Sequence, residues 1–569
     1  MPAAAGAKGF LVERGDAALR AAGGGRASLE RALGEAMGEA LGCGGHVRQE
    51  RLRHIEAQLA SMWRTLPKNA QGNIERRSLR YVVHRFFNRE SALHFRGFEP
   101  SRPMNVSGWG GADILSQRVP GFVESALESR HRLQQGFSVG DAAHVIATLE
   151  QLTFDSEGAV LEAVYRRQRK PLDASLGRAG LEQVLETYMV HWMLGDDEES
   201  IDALLADRSL LEATVPHWQQ VAAFAHGQVQ ALEHKRRATP KAALAEGVAR
   251  AGHNAFAAKY SFEDAHALVG GITKSFASFW ESECSTMKAT LVEMDTLGTG
   301  RVPLSKFYGN GLDEDWRFGE SEAYLRVLGA LDETSWRGKQ VIIPNYIQAA
   351  SNCIISSRHY LVCCANDCEA LLDEIERAVG APSAEPAALL AVVANVSSHL
   401  SVDDDAPPRL SGALTVQLQS IAAAHGGAVP LHGRLFAQWL HYAYPRECPF
   451  PHKAGVAAAV SPSDFGENYI ATREEMQQHA AGANASDVPA GIGKEELQWM
   501  SQWSPDEELI ADHVSGGLRA PWERGCCALG GVALLAAAAL LGAARRGGRK
   551  PGRGDHVDVL PFHGRSHFV

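Results

Sequence analysis

The chain has 569 residues, a formal net charge of −11, 45% apolar residues and 22% charged residues. At ~150 residues per domain this length calls for three or four units, and the ordinary balance of apolar and charged residues excludes wholesale disorder. Lysine and arginine form no long run in the body of the chain, which argues against nucleic acid as a partner.

Residues 1–45 are rich in Ala and Gly and hold no apolar core of the length a signal peptide needs, so they are expected to be disordered. Helical spacing of Ala, Leu, Glu, Gln and Arg then recurs almost throughout, and alternating β-branched runs are sparse, which predicts an all-α fold. "MWRTLPKNAQGNIERRSLRYVVHRFF" reads as a helix, a polar turn at Gly72 and a second helix, with apolar anchors Ile74 and Leu79 five residues apart. The same frame fits Leu176 with Leu181, Val302 with Phe307 and Val341 with Tyr346. Looser copies are "GFSVGDAAHVIATLEQL" from Gly136 and "HGGAVPLHGRLFAQWLHY", where Val429 and Leu431 follow Gly427. Six helix-loop-helix units taken in sequence suggest three pairs, joined through a short β-contact. The expected domains are one and a half such pairs over 46–195, a helical insertion over 196–275, and further units with a cysteine cluster over 276–455.

"EMDTLGTGRVPLSKFY", residues 293–308, reads like an EF-hand calcium loop, in which oxygen ligands occupy positions 1, 3, 5, 7 and 12 and glycine occupies position 6. Asp295 stands at position 1, Thr299 at 5, Gly300 at 6, Arg301 at 7 and Val302 at 8. Position 3 is Leu297, which has no oxygen to give, and position 12 is Lys306, an ammonium where a carboxylate is needed. Asp295, Thr299 and Arg301 are therefore the ligand candidates of a degenerate site, and calcium binding is expected to be weak or absent. The loop aligned on Ile74 has Pro67 at position 1 and Ser78 at position 12, and the one aligned on Val341 has Lys339 in the glycine position.

The cysteines concentrate in "NCIISSRHYLVCCANDCE" and "YPRECPFPHKAG". On a continuous helix Cys353, Cys364 and Cys368 would share a face, with Cys363 about 100° away from Cys364. Two readings stand: thiols buried in a helix core, or local disulfides among Cys353, Cys363, Cys364, Cys368 and Cys448, which would imply an oxidising compartment. Paired CxxC knuckles and HExxH are absent, so zinc ranks third. His432, His441, Cys448 and His452 are dense enough for a metal or redox centre, although His432 and His441 fall on opposite sides of a continuous helix. No nucleophile elbow, phosphate-cradling glycine loop or dinucleotide fingerprint appears, so no catalytic residue is assigned.

Residues 456–525 turn Ala, Ser and Gly rich and read as a linker. "CCALGGVALLAAAALLGAA", Cys526 to Ala544, carries no charge and has about the length that spans a bilayer. A basic tail, 545–569, follows. Five cations after the span against Arg519 and Arg524 before it favour a cytosolic tail and a lumenal or extracellular body. A cytosolic tail-anchored body is the alternative. Sequons at Asn105, Asn395 and Asn484 are candidate glycosylation sites.

"MWRTLPKNAQGNIERRSLRYVVHRFF", "VEMDTLGTGRVPLSKFY", "QVIIPNYIQAASNCI", "VCCANDCE" and "YPRECPFPHKAG" together resemble a group of uncharacterised, EF-hand-like, membrane-anchored proteins of unicellular algae, over roughly residues 45 to 510. The resemblance implies fold and anchoring but lends no activity, substrate or catalytic residue. The expectation is a single-pass membrane protein that acts as a non-catalytic scaffold, with the bilayer and an unknown protein as partners and no cofactor beyond weak calcium. The alternative is an enzyme built on His432, His441, Cys448 and His452.

Overall fold

Helices dominate the described residues, as the spacing of Ala, Leu, Glu and Arg requires, and no described strand exceeds three residues. The computed structural model describes residues 49–98, 136–238, 259–396, 410–481 and 500–511, apart from a few internal positions. The expected disordered N-terminus, the span Cys526 to Ala544 and its basic tail lie outside the described residues, as do Asn105 and Asn484. Among the described residues no helix is long and apolar enough to cross a membrane.

Helix α1 (Gln49–Thr65) buries Leu52, Ile55, Leu59 and Met62, one stripe at helical spacing. The chain then turns at Gly72, whose φ of +78 suits glycine, while the Asn69 side-chain oxygen accepts the backbone N–H groups of Gln71 and Asn73, each at 3.0 Å. Ile74 leaves this turn and exchanges backbone hydrogen bonds with Phe137 at 2.9 and 2.8 Å. Each partner runs straight into a helix, α2 (Arg76–Ser91) after Ile74 and α3 (Val139–Arg167) after Phe137. A reciprocal capping box of Ser138 and Asp141 starts α3.

Three further couples repeat this plan. β2 (Leu176–Gly177), before α4 (Arg178–Leu194), pairs antiparallel with β3 (Lys259–Tyr260), before α8 (Phe262–Met294). Helices α5 (Glu198–Ala206), α6 (Arg208–Thr214) and α7 (Trp218–Ala238) lie between them in sequence. β4 (Arg301–Pro303) leads into α9 (Leu304–Asp313), and after α10 (Glu322–Val327) and β5 (Leu331–Asp332) it pairs with β6 (Gln340–Ile342), which leads into α11 (Ile343–Ile347). Then come β7 (Tyr360–Val362), which pairs with β1 (Leu93–Phe95), and α12 (Asp367–Val379). β8 (Ser383–Ala384), before α13 (Pro386–Asn395), pairs with β9 (Val429–Pro430), which follows α14 (Gly412–Ala424) and precedes α15 (Arg434–Ala443).

The expected three consecutive pairs are thus corrected to four couples among the described residues. Val302 joins Val341, Leu176 joins Tyr260 and Val429 joins Ala384. The halves at Tyr260 and Ala384 were not among the frames read from the sequence. A signal for the first was present: Ser261 and Asp264 form the same capping box, one residue after the paired position, as Ser138 and Asp141 do. Because α8 continues unbroken from Phe262 to Met294, no boundary falls at residue 275. At 1.5 Å per residue it is ~50 Å long. Phe276 lies in a core built with α1–α4 and α7, Leu291 lies in the core around β4 and α9, and Trp280 touches both.

Strand alternation distributes side chains among these cores. Tyr360 and Val362 of β7 enter the first core and Leu361 the second. Val341 and Ile343 enter the second, and Ile342 enters a third formed by α12–α15. The segment read as a linker is in part packed. Helix α16 (Arg473–Ala481) buries Met476, Ala471 N–H bonds Gly319 O at 2.8 Å, and Met500 is buried in the third core. These apolar residues are too thinly spaced to form a periodic pattern, so composition alone concealed them.

The cysteine-rich stretch is not one helix. Cys353 ends a 3-10 turn, Cys363 and Cys364 follow strand β7, which pairs with Leu93–Phe95, and only Cys368 lies in a helix. The run "YLV", Tyr360–Val362, finds a strand partner there, which overrides the helical reading. The bridges are Cys353–Cys363, Cys368–Cys448 and Cys284–Cys364. Cys284, on α8, was absent from the sequence candidates because it lies outside the two cysteine-rich stretches from which they were drawn.

Candidate functional site

The calcium-like loop begins where α8 ends. Asp295 turns its carboxylate back into the loop, where Oδ1 accepts Thr299 N–H at 3.0 Å and Oδ2 accepts Gly300 N–H at 2.8 Å. Gly298 and Gly300 have φ of +65 and +69, which the turn requires and glycine allows. A Cβ on Gly300 would lie 1.8 Å from Pro445 O, so the segment after α15 is pressed onto the loop. From that segment Arg446 reaches the same aspartate. Its Nε donates to Asp295 Oδ2 and its Nη2 to Asp295 O, both at 3.1 Å.

A charged group therefore already satisfies the position 1 carboxylate. Of the other ligand candidates, Thr299 offers a hydroxyl that donates to Asp295 at 3.4 Å, and its carbonyl accepts from Arg301. Arg301 itself points away from Asp295. Its Nε donates to Asp332 Oδ2 at 2.9 Å, its Nη2 to Gln502 at 2.9 Å, and the guanidinium lies 5.6 Å from the Tyr442 ring centroid. Leu297 is exposed, and Lys306 donates to Met294 O at 3.2 Å across the loop. Two guanidinium groups thus sit on Asp295 and Asp332, one beside each half of the β4–β6 couple.

The histidine and cysteine candidates are drawn into separate tasks. Thr65 spends its single hydroxyl proton on Met62 O, so the 2.8 Å contact with His432 Nε2 requires a proton on that nitrogen. His432 Nδ1 then accepts from Tyr81 at 3.1 Å, which leaves no lone pair for a metal. His441 donates Nδ1–H to Cys448 O at 2.7 Å, and burial, followed by the Arg301 charge, holds it well below the ordinary imidazole range. His452 donates to Gly329 O at 2.7 Å, and the Cys448 sulfur is taken by Cys368. The ring of Phe450 stands against both His441 and His452. Among the described residues no group of three or more His, Cys, Asp or Glu side chains is placed to hold a metal ion.

No family model, curated protein or solved structure matches this chain. The functional reading consequently rests on the geometry of its own residues. What sequence reasoning missed is Arg446 and Asp332. Arg446 lies 151 residues from Asp295 and belongs to a Pro-rich turn with no periodic signal, so only the fold joins them.

Proposed function

We propose that this chain is a membrane-anchored, non-catalytic scaffold whose helix-loop-helix couples are degenerate EF-hands held closed by internal cations. The observation that carries the reading is the Arg446 guanidinium on Asp295, a fixed positive charge on the carboxylate that a calcium ion would need. The hydrogen bond from Arg301 to Asp332 supports it, as does the resemblance to algal EF-hand-like proteins. In this reading the loops are structural joints, and a protein partner engages the grooves between helices. The span 526–544 supplies the anchor. The three disulfides favour a body in an oxidising, lumenal or extracellular space.

Calcium titration of the detergent-extracted chain tests the proposal. The wild type should take up no calcium with submicromolar affinity, and Leu297→Asp with Lys306→Glu should remain poor while Arg446 holds Asp295. Adding Arg446→Gln to that pair should create a stoichiometric site. A submicromolar site in the wild type would sink the reading, and a triple variant that still binds nothing would show that the loop is not an EF-hand frame.

A further inference from the structure

Helix α2 carries two stripes. Leu79, Val82, Val83 and Phe86 enter the first core, while Arg77, Tyr81, His84 and Asn88 recur at spacings of three and four on another face. A polar stripe of this kind ordinarily meets bulk water. Here it meets the N-terminal ends of α12 and α15 and the turn 449–452, and together they line a cavity of 410 Å³. That volume is at the small end of the range for ligand pockets.

Four arginines, Arg77, Arg80, Arg85 and Arg434, line this cavity against two carboxylates, Glu369 and Glu508. Glu369 is committed to Arg85, which also holds Glu376. Arg434 differs from Arg85. It is 7% exposed, and its hydrogen-bond acceptors are neutral: Asp506 O at 2.9 Å and Gln438 Oε1 at 3.2 Å. Its Nε has no partner, and among the described residues no carboxylate reaches it within ion-pair distance. Burial lowers its pKa, with Glu508, Asp506 and Glu507 opposing from further away. A buried guanidinium whose carboxylates stand beyond ion-pair distance is costly, and a closer anion would reduce that cost. Arg77, half-buried at the other end of the stripe, also has no ion pair among the described residues.

The remaining lining is suited to a flat molecule. Rings of Tyr81, His84, His94, Phe98, Phe450 and His452 form much of the wall. His84 Nδ1 and Asn88 Oδ1 are buried without hydrogen-bond partners, although Asn88 Nδ2 contacts His94 Nε2 at 2.8 Å. Burial, helped by the His94 ring 5.4 Å away, pushes His84 down to about 3, so its imidazole is neutral near pH 7. Unpartnered polar atoms on residues that line the cavity, and a buried cation with no carboxylate at ion-pair distance, together favour an anionic occupant.

We propose that this cavity binds a small planar organic anion, held by Arg434 and Arg77 through charge-assisted hydrogen bonds and sandwiched by the surrounding rings. The site is independent of the scaffold reading, since no residue of the Asp295 loop lines it. The test uses the detergent-extracted full chain and two flat probes of the same shape, benzene-1,3-dicarboxylate and its uncharged diamide, in calorimetric titrations. The dicarboxylate should bind saturably at one site, at least about tenfold more tightly than the diamide, as expected for charged hydrogen bonds. Arg434→Gln should weaken it by about tenfold or more on the same scale, and Arg77→Gln should weaken it measurably. Arg53→Gln, an exposed position outside the cavity, should change nothing. If Arg434→Gln fails to fold, Arg77→Gln decides alone. Absence of saturable dicarboxylate binding, equal binding of the diamide, or affinity unchanged in every folded cavity variant would overturn the proposal.

Discussion

Glu157 shows how one buried side chain sets a pH dependence. It accepts from Tyr360 at 3.1 Å, and Tyr360 in turn accepts from the Trp192 indole at 3.3 Å. Burial nevertheless outweighs these contacts and pushes the carboxyl up to about 7. The folded chain therefore keeps the proton to a higher pH than the unfolded chain, so this group lowers stability as pH rises from its ordinary value through about 7. Glu157→Gln should leave stability near pH 4.5 almost unchanged and raise it at pH 8 by up to about 3 kcal/mol, read from urea midpoints at the two pH values. Phe307 gives the opposite kind of prediction. Fully buried, it meets Phe318 and Tyr346 at ring distances of 5.3 and 5.2 Å. Phe307→Ala should cost about 3–5 kcal/mol in denaturant unfolding, and a neutral effect would remove the packing role assigned to the anchor after β4.

At the scale of elements, much of the repeating frame is legible because it is local. The apolar residue five positions after the paired residue is buried in marked units, Leu79 after Ile74 and Tyr346 after Val341, and also in the missed ones, Ala265 after Tyr260 and Leu389 after Ala384, while after Val429 the buried anchor comes one residue later, at Leu435. Which strand joins which is not local, since two-residue strands carry almost no pairing information of their own. The disulfides add a second layer of non-local ties. Cys284–Cys364 and Cys368–Cys448 each span 80 residues, against 10 for Cys353–Cys363. Loop-closure entropy predicts a loss of about 4 kcal/mol when Cys368 and Cys448 are both replaced by Ser, and about 3 kcal/mol for the Cys353 and Cys363 pair. Denaturant midpoints of the two double variants check the order, and alkylation with and without reductant should show these six cysteines reacting only after reduction.

On the scale of the whole molecule, the long helix α8 and the alternating strands β6 and β7 tie three cores into one unit spanning the described residues. Membrane topology follows from the proposed anchor and can be read at Asn395, which is exposed at the end of α13. If the body is lumenal or extracellular, glycosidase treatment should increase the mobility of the protein expressed in a glycosylating host. Asn395→Gln should then abolish the part of the shift owed to that site. An unmodified protein whose body is cleaved by protease on intact membranes would place the body in the cytosol.

The sequence by itself determined the helical class, the recurring anchors and the lack of a side-chain oxygen at Leu297 and Lys306, because each depends on residue type and near-neighbour spacing. Only the tertiary structure decided that Arg446 closes the Asp295 loop, that Tyr260 and Ala384 complete two couples, and that the polar stripe of α2 faces a cavity. The physical reason is the same in each case. Charge pairing, two-residue strand contacts and burial of a polar face are satisfied by groups far apart in the chain, and nothing in local composition distinguishes the partner that is chosen from the many that could serve.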